Sequence, residues 1–126
     1  MAHQLTPGLA ASVELTVSDA DTAQALGSGD VPVLGTPRAV ALAEAATVAA
    51  TIKALEPGQT TVGVRIELDH LAATPVGRLV VAEAELSTVE GRRLTFDVVL
   101  RDGTVVAAEG KVHRVVVDRQ RFLERT

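Results

Sequence analysis

Residues 36–58 read TPRAVALAEAATVAATIKALEPG, and the reading of this stretch decides the fold. Thr36 suits a helix N-cap, and Pro37 suits the first helical position, where its missing N–H is not needed. From Pro37 to about Leu55 there is no glycine and alanine abounds, until Glu56-Pro57-Gly58 ends the run. Only Arg38, Glu44 and Lys53 are charged within it. A helix so apolar on nearly all sides belongs in the interior, with an apolar stripe through Val40, Ala41, Val48, Ile52 and Leu55.

Upstream, Val13, Leu15 and Val17 alternate with Glu14 and Thr16, the period of a half-buried strand. Ser18 and Asp21 read as the capping box of a short helix over residues 19–26, which Gly27-Ser28-Gly29 breaks. Downstream, Val62, Val64, Ile66 and Leu68 alternate with Gly63, Arg65, Glu67 and Asp69. Three longer strand segments follow, at about 78–89, 92–101 and 104–117. Glu90-Gly91 and Asp102-Gly103 separate them, and Asp-Gly between alternating segments is a strong hairpin signal.

The lengths match. A helix of this extent spans roughly 28 Å, and strands of about ten to twelve residues cover roughly 33–40 Å. A sheet of such strands can curl along the whole helix. Strand, helix, then a four-stranded meander around that helix is the hot-dog arrangement, an α+β fold, expected as a single domain over residues 1–126. One open sheet leaves an edge and part of the helix uncovered, which predicts a homodimer with the sheets joined edge to edge.

Composition narrows the function. With two Phe and no Tyr or Trp, the core must be packed from Val, Leu, Ile and Ala, and aromatic stacking platforms for single-stranded nucleic acid are excluded. The net charge of −4 gives no long-range attraction to nucleic acid or an anionic membrane. Charge is uneven, however: residues 1–70 hold three Lys or Arg against eight Asp or Glu, and residues 71–126 hold nine against eight. The arginines of the second half fit a polyanionic ligand or a solvated surface equally well. The absence of cysteine excludes thiol nucleophiles, disulfides and Cys-based metal sites. The start, MAHQLTPG, is not a secretory signal, and no apolar run nears the roughly 20 residues needed to span a bilayer, so a soluble cytoplasmic protein is expected.

Five residues stand out. Glu44 sits on the helix stripe, four residues after Val40 and four before Val48, where a carboxylate loses water and needs a partner; an edge glutamate reaching solvent is the equal alternative. His70 closes the first strand after the helix, a position more often structural than catalytic. Thr36 is explained by capping alone. Arg114, after His113 in the last strand, reads as a solvated cation or surface ion pair. Gly63 interrupts an alternating strand and marks a bulge or a close approach. Other chemistries lack their residues: there is no G-x-S-x-G, no P-loop and no G-x-G-x-x-G, and His3, His70 and His113 have no metal-ligand spacing. Asp69 and His70 point to opposite faces of a regular strand and make no dyad.

Two strings carry a resemblance. Residues 68–77, LDHLAATPVG, and residues 84–94, AELSTVEGRRL, contain H-x-A-A-T-P-x-G and V-E-G-R-R-L. On these the chain resembles the fluoroacetyl-coenzyme A thioesterase-like family of hot-dog proteins, over roughly residues 10–122. In that family a threonine opens the long helix, a glutamate follows by eight residues and a histidine by a further 26. Thr36, Glu44 and His70 match this spacing. The family's glycine seven residues before the histidine falls on Gly63, and its last-strand arginine, four residues after a glycine, falls on Arg114 after Gly110.

The resemblance implies an acyl-CoA thioesterase with its pocket at the dimer interface. Coenzyme A is then part of the substrate, and neither a cofactor nor a metal is implied. Glu44 would attack the carbonyl or activate water, His70 would move the proton, and Thr36 would bind the acyl end or orient Glu44. Backbone N–H groups at the helix N-terminus would face developing negative charge. Gly63 would allow close approach, and Arg114 would place a water or a carboxylate. In the family, phenylalanines form a lid before the helix; residues 27–38 here hold no aromatic, and Ala45 follows Glu44 in place of Trp. This implies a different short or small polar acyl group, with Arg38 near its carboxylate. Two other readings remain: a non-catalytic acyl-thioester binder, and a hydratase or dehydratase on the same fold. Thiol release separates hydrolysis from both, and double-bond absorbance identifies the last.

Overall fold

Alternating strands and one alanine-rich helix build the computed structural model, which describes residues 4–126; His3 and the first residues of the N-terminal stretch lie outside the described part. Strand β1 is Ala10–Thr16, followed by a 3-10 turn at Asp19–Asp21 and a one-turn helix, α1, at Ala23–Leu26. The long helix α2 is Thr36–Thr51, extended by a 3-10 turn at Ile52–Ala54. Then come β2 (Gln59–His70), β3 (Leu79–Glu90), β4 (Arg93–Asp102), β5 (Val105–Asp118) and a short terminal helix, α3 (Arg119–Glu124). The strands pair antiparallel in the order β1-β3-β4-β5-β2, and α2 packs against all five.

The expected four-stranded meander is corrected to three strands. Gly91 and Gly103, both at φ 60°, turn β3 into β4 and β4 into β5. Residues 71–78 instead carry the chain across the sheet, so β2 pairs with β5 at the far edge and β1 takes the edge beside β3. A tight glycine turn forces neighbouring strands to pair, whereas an eight-residue connection does not.

The helix also buries a different face from the expected one. Inside are Ala39, Leu42, Ala43, Ala46 and Ala50, packed on Val80, Ala82, Leu86, Leu94, Phe96, Val98 and Val112 of the sheet. Val48 and Ile52 of the expected stripe are 38% and 59% exposed. Small side chains let the helix axis approach the sheet closely, so the alanine ridge turns inward and the bulkier β-branched residues turn outward. Phe96 is completely buried, so aliphatic residues alone do not pack the core. The short helix expected over 19–26 is broken at Thr22, whose extended backbone (ψ 153°) bridges to Leu34 while its hydroxyl caps α1 at the Ala25 amide. The Ser18–Asp21 capping box is present on the 3-10 turn.

Candidate active site

The start of α2 is set by Gly35, not by Thr36. Gly35 is the N-cap, and a β-carbon there would come within 3.0 Å of the Ala23 Cα and the Leu26 Cδ1. Thr36, one position on, makes no capping bond. Its hydroxyl instead lies 2.8 Å from Nδ1 of His70, the last residue of β2. The Arg38 and Ala39 amides both donate to the Gly35 carbonyl, and Pro37 has no N–H, so of the donors expected at this helix end only the Thr36 amide has no backbone acceptor among the described residues. The His70 Nε2 is buried without a protein partner.

Thr36 and His70 line a cavity of about 260 Å³ with Ser28, Val31, Val33, Leu34 and Leu71. Residues 23–35 form its rim, and they are pinned. The Ala23 and Gln24 amides donate to the Val33 and Val31 carbonyls, the Gly35 amide to Asp21, and the Leu34 amide to Thr74.

Glu44 belongs to a second group. Its Oε2 accepts a hydrogen bond from Arg114 Nη1 at 3.0 Å. Arg114 donates twice more, from Nε to the Thr61 hydroxyl (2.9 Å) and from Nη2 to the Thr61 carbonyl (3.0 Å). The Arg114 side chain is 8% exposed and that of Glu44 34%, so the cation is buried while the carboxylate keeps an open side. Burial pulls the Arg114 guanidinium below its ordinary pKa, against the opposing charge and hydrogen bond of Glu44. The expected solvated surface cation is therefore corrected: Arg114 is an internal clamp on Glu44.

Gly63 pairs with Arg114 across β2 and β5, beside a register shift between Gly63 and Arg65. The expected bulge and close approach are both present, because a β-carbon on Gly63 would collide with the Glu44 carboxylate. Thr36–His70 and Glu44–Gly63–Arg114 form two groups within the chain. Eight residues separate Thr36 from Glu44, about 12 Å along the helix. Arg38 is held toward Asp21, its Nε donating to Asp21 Oδ1 at 3.0 Å, and is not among the residues that line the cavity.

Sequence reasoning missed Thr61, whose role as acceptor for Arg114 depends on a partner 53 positions away. Asp69 is exposed and makes no dyad with His70. Among the described residues no group of three or more His, Asp or Glu is placed to hold a metal ion, and no helix is long and apolar enough to cross a membrane.

Comparison with known proteins gives the family and the fold. Residues 17–120 match the family model described as fluoroacetyl-CoA-specific thioesterase. A fluoroacetyl-CoA thioesterase from Streptantibioticus cattleyicolor is 42% identical over 83 residues, covering 66% of this chain but only 60% of that relative's length. Among solved structures, the fluoroacetyl-CoA thioesterase FlK superposes with a TM-score of 0.89 at 33% identity, covering 96% of this chain and 94% of that one. A variant of it in complex with acetyl-CoA gives 0.91 at 31% identity, with 96% of each chain covered. A thioesterase superfamily member from Thermus thermophilus shares the hot-dog fold at a TM-score of 0.89 and 24% identity, over 96% of this chain and 90% of its own.

Proposed function

The chain belongs to the fluoroacetyl-CoA-specific thioesterase family, and from this premise we propose that it hydrolyses an acyl-CoA thioester to the free acid and coenzyme A. The observation that carries the reading is the Thr36–His70 hydrogen bond, 2.8 Å long, on the wall of an acyl-sized cavity at the start of α2. Thr36 fixes His70 through Nδ1. Where water attacks, Nε2 takes its proton and returns it to the leaving thiolate; where the Glu44 carboxylate attacks, a protonated Nε2 gives its proton to the thiolate and recovers one from the water that hydrolyses the acyl-enzyme. Glu44 attacks the carbonyl or activates the water that does, with Arg114 holding its carboxylate in place. The Thr36 amide is a donor for the developing oxyanion.

The cavity walls favour a short or small polar acyl chain. Val31, Val33, Leu34 and Leu71 set its width, and no aromatic lid closes it. Coenzyme A enters only as part of the substrate, and no separate cofactor takes part.

We place the working site at a homodimer interface. Glu44 shares its helix face with Val48 and Ile52, four and eight residues on, and these are 38% and 59% exposed in the single chain. A second copy over that face would cover them and bring two α2 helices together.

Thiol release from a panel of acyl-CoA substrates tests the reading, with wild type and Glu44→Gln compared. We expect hydrolysis of at least one short acyl-CoA, reduced by 10²-fold or more in Glu44→Gln with the far-ultraviolet spectrum unchanged. Folded wild type that releases no thiol from any member would leave the binding-protein reading in its place. Labelled-oxygen incorporation into Glu44 during one turnover would identify it as the nucleophile; its absence would identify a general base.

A further inference from the structure

Two neighbouring residues of β5 reach for β2 on opposite faces of the sheet. Arg114 points inward, where its Nε and Nη2 donate to the Thr61 hydroxyl and carbonyl. His113 points outward, and its Nε2 lies 2.8 Å from Oε2 of Glu67. Its Nδ1 lies 3.2 Å from the Thr95 hydroxyl of β4. An ionised carboxylate only accepts, so Nε2 carries the hydrogen, and Nδ1 of the neutral ring accepts from Thr95. The imidazole is well covered, its side chain 14% exposed against 47% for Glu67. The His113 bond, ahead of the Arg65 charge beside it, holds the Glu67 carboxyl below its ordinary pKa. Neither His113 nor Glu67 takes part in the hydrolysis proposed above.

The two grips stand on either side of the irregularity in β2. Gly63 pairs with Arg114 and Arg65 with His113, so the register passes over Val64, the extra residue of a bulge. Bulges disrupt the ladder locally, and each residue by which one slides turns a side chain to the other face. Thr61 must face inward to meet Arg114, and Glu67 outward to meet His113. A bulge that moved past either residue would turn it away and break its bond. The irregularity is thereby confined to the segment that carries Gly63. Its place within that segment matters to the site. One step toward Thr61 would set Val64 opposite Arg114, with its side chain in the space that the Glu44 carboxylate fills beside Gly63.

We propose that His113 is a positioning residue for the Glu44 group, an assignment that rests on the thioesterase reading above. Through Glu67 it braces one side of the bulge, as Arg114 braces the other through Thr61, and Gly63 is thereby kept against Glu44. The brace acts where the sheet is weakest. β2 is the outermost strand and has only β5 beside it in the chain, so a strut from β5 is what fixes its outer face. Thr95 in turn ties the imidazole to β4, which lies inside the sheet.

The test compares the whole wild-type chain with His113→Val, Glu67→Val and His113→Gln. Valine suits a strand but carries no hydrogen bond, whereas glutamine sets an amide N–H about where Nε2 stands. Should His113→Val fail to fold, Glu67→Val, at a half-exposed position, carries the same test. Amide hydrogen exchange over residues 62–66 reads the bulge without any turnover. Both valine variants should exchange there about tenfold faster than wild type, with β3 and β4 unchanged. Thiol release should show kcat about tenfold lower and KM within about twofold, and His113→Gln should restore exchange and kcat to within about threefold. In a Gly63→Ala background, His113→Val should cost less than about twofold more, since both act through one contact. Wild-type exchange in the valine variants overturns the brace. Faster exchange with wild-type kcat, or a further tenfold loss on top of Gly63→Ala, overturns its role in placing Glu44. A loss in His113→Gln equal to that in His113→Val overturns the hydrogen bond as its means. Absence of thiol release by wild type from any thioester would instead overturn the thioesterase reading and with it the positioning role, while the exchange data still decide the brace.

Discussion

At Gly63 the Glu44 carboxylate fills the space that a β-carbon would occupy, and Arg114 holds it there at 3.0 Å. The carboxylate is the free end of a flexible chain, but the guanidinium that holds it is fixed twice by Thr61. A methyl group at Gly63 must therefore displace Glu44 while Arg114 stays. Gly63→Ala should lower thioester hydrolysis by about 10²-fold, the usual consequence of moving a reacting group by an ångström. Stability should fall by only about 1–2 kcal/mol, since alanine fits an antiparallel strand and the strained contact is local. Thiol release and thermal melting check both numbers, and full activity in Gly63→Ala would remove Glu44 from the chemistry. Gly63, Glu44 and Arg114 were readable as candidates because their spacing matches that of the family the chain resembles. The burial of Arg114 was not, because Glu44 and Thr61 reach it from 70 and 53 positions away.

Between β1 and α2, a single carboxylate joins two elements. Asp21 Oδ2 accepts from the Ser18 amide (2.8 Å) and hydroxyl (2.9 Å), and Oδ1 accepts from Arg38 Nε (3.0 Å). Burial works to raise the Asp21 pKa, but the two Ser18 bonds and the hydrogen bond and charge of Arg38 together outweigh it, leaving the group below the usual carboxylate range. A carboxyl with a depressed folded pKa contributes its stability above its unfolded value. That contribution disappears as the pH falls through the folded value. Wild type should therefore lose this part of its stability on acidification below the ordinary aspartate range. Asp21→Asn should be less stable by about 1–3 kcal/mol at pH 7, with the gap closing toward acid. Urea midpoints measured from pH 7 to pH 3 decide it, and parallel curves would refute the role given to Asp21. The capping box was legible because it is local. The break at Thr22 was not, since it depends on a bridge to Leu34.

For the molecule as a whole, the uncovered surface bears on assembly. Val48, Ile52 and, on the edge strand β2, Val64 are 38%, 59% and 50% exposed, and Glu44 lies on the same helix face as the first two. If a second copy covers this face, Val48→Glu/Ile52→Glu should convert a sedimenting dimer to a monomer and abolish hydrolysis, while the monomer keeps its core and its far-ultraviolet spectrum. Wild type that sediments as an active monomer would disprove the interface. The sequence by itself determined the kinds, lengths and order of the long helix and the five strands, though not the break at Thr22 or the terminal helix α3, because hydrophobic period, glycine turns and caps act over a few neighbouring residues. It also placed the candidate residues, whose spacing is a property of the chain. Tertiary structure alone decided which face of α2 turns inward, that β2 crosses to the far edge, and that Arg114 is buried. Each of these depends on volume or charge compensation between residues far apart in sequence, and a one-dimensional pattern carries no record of such contacts.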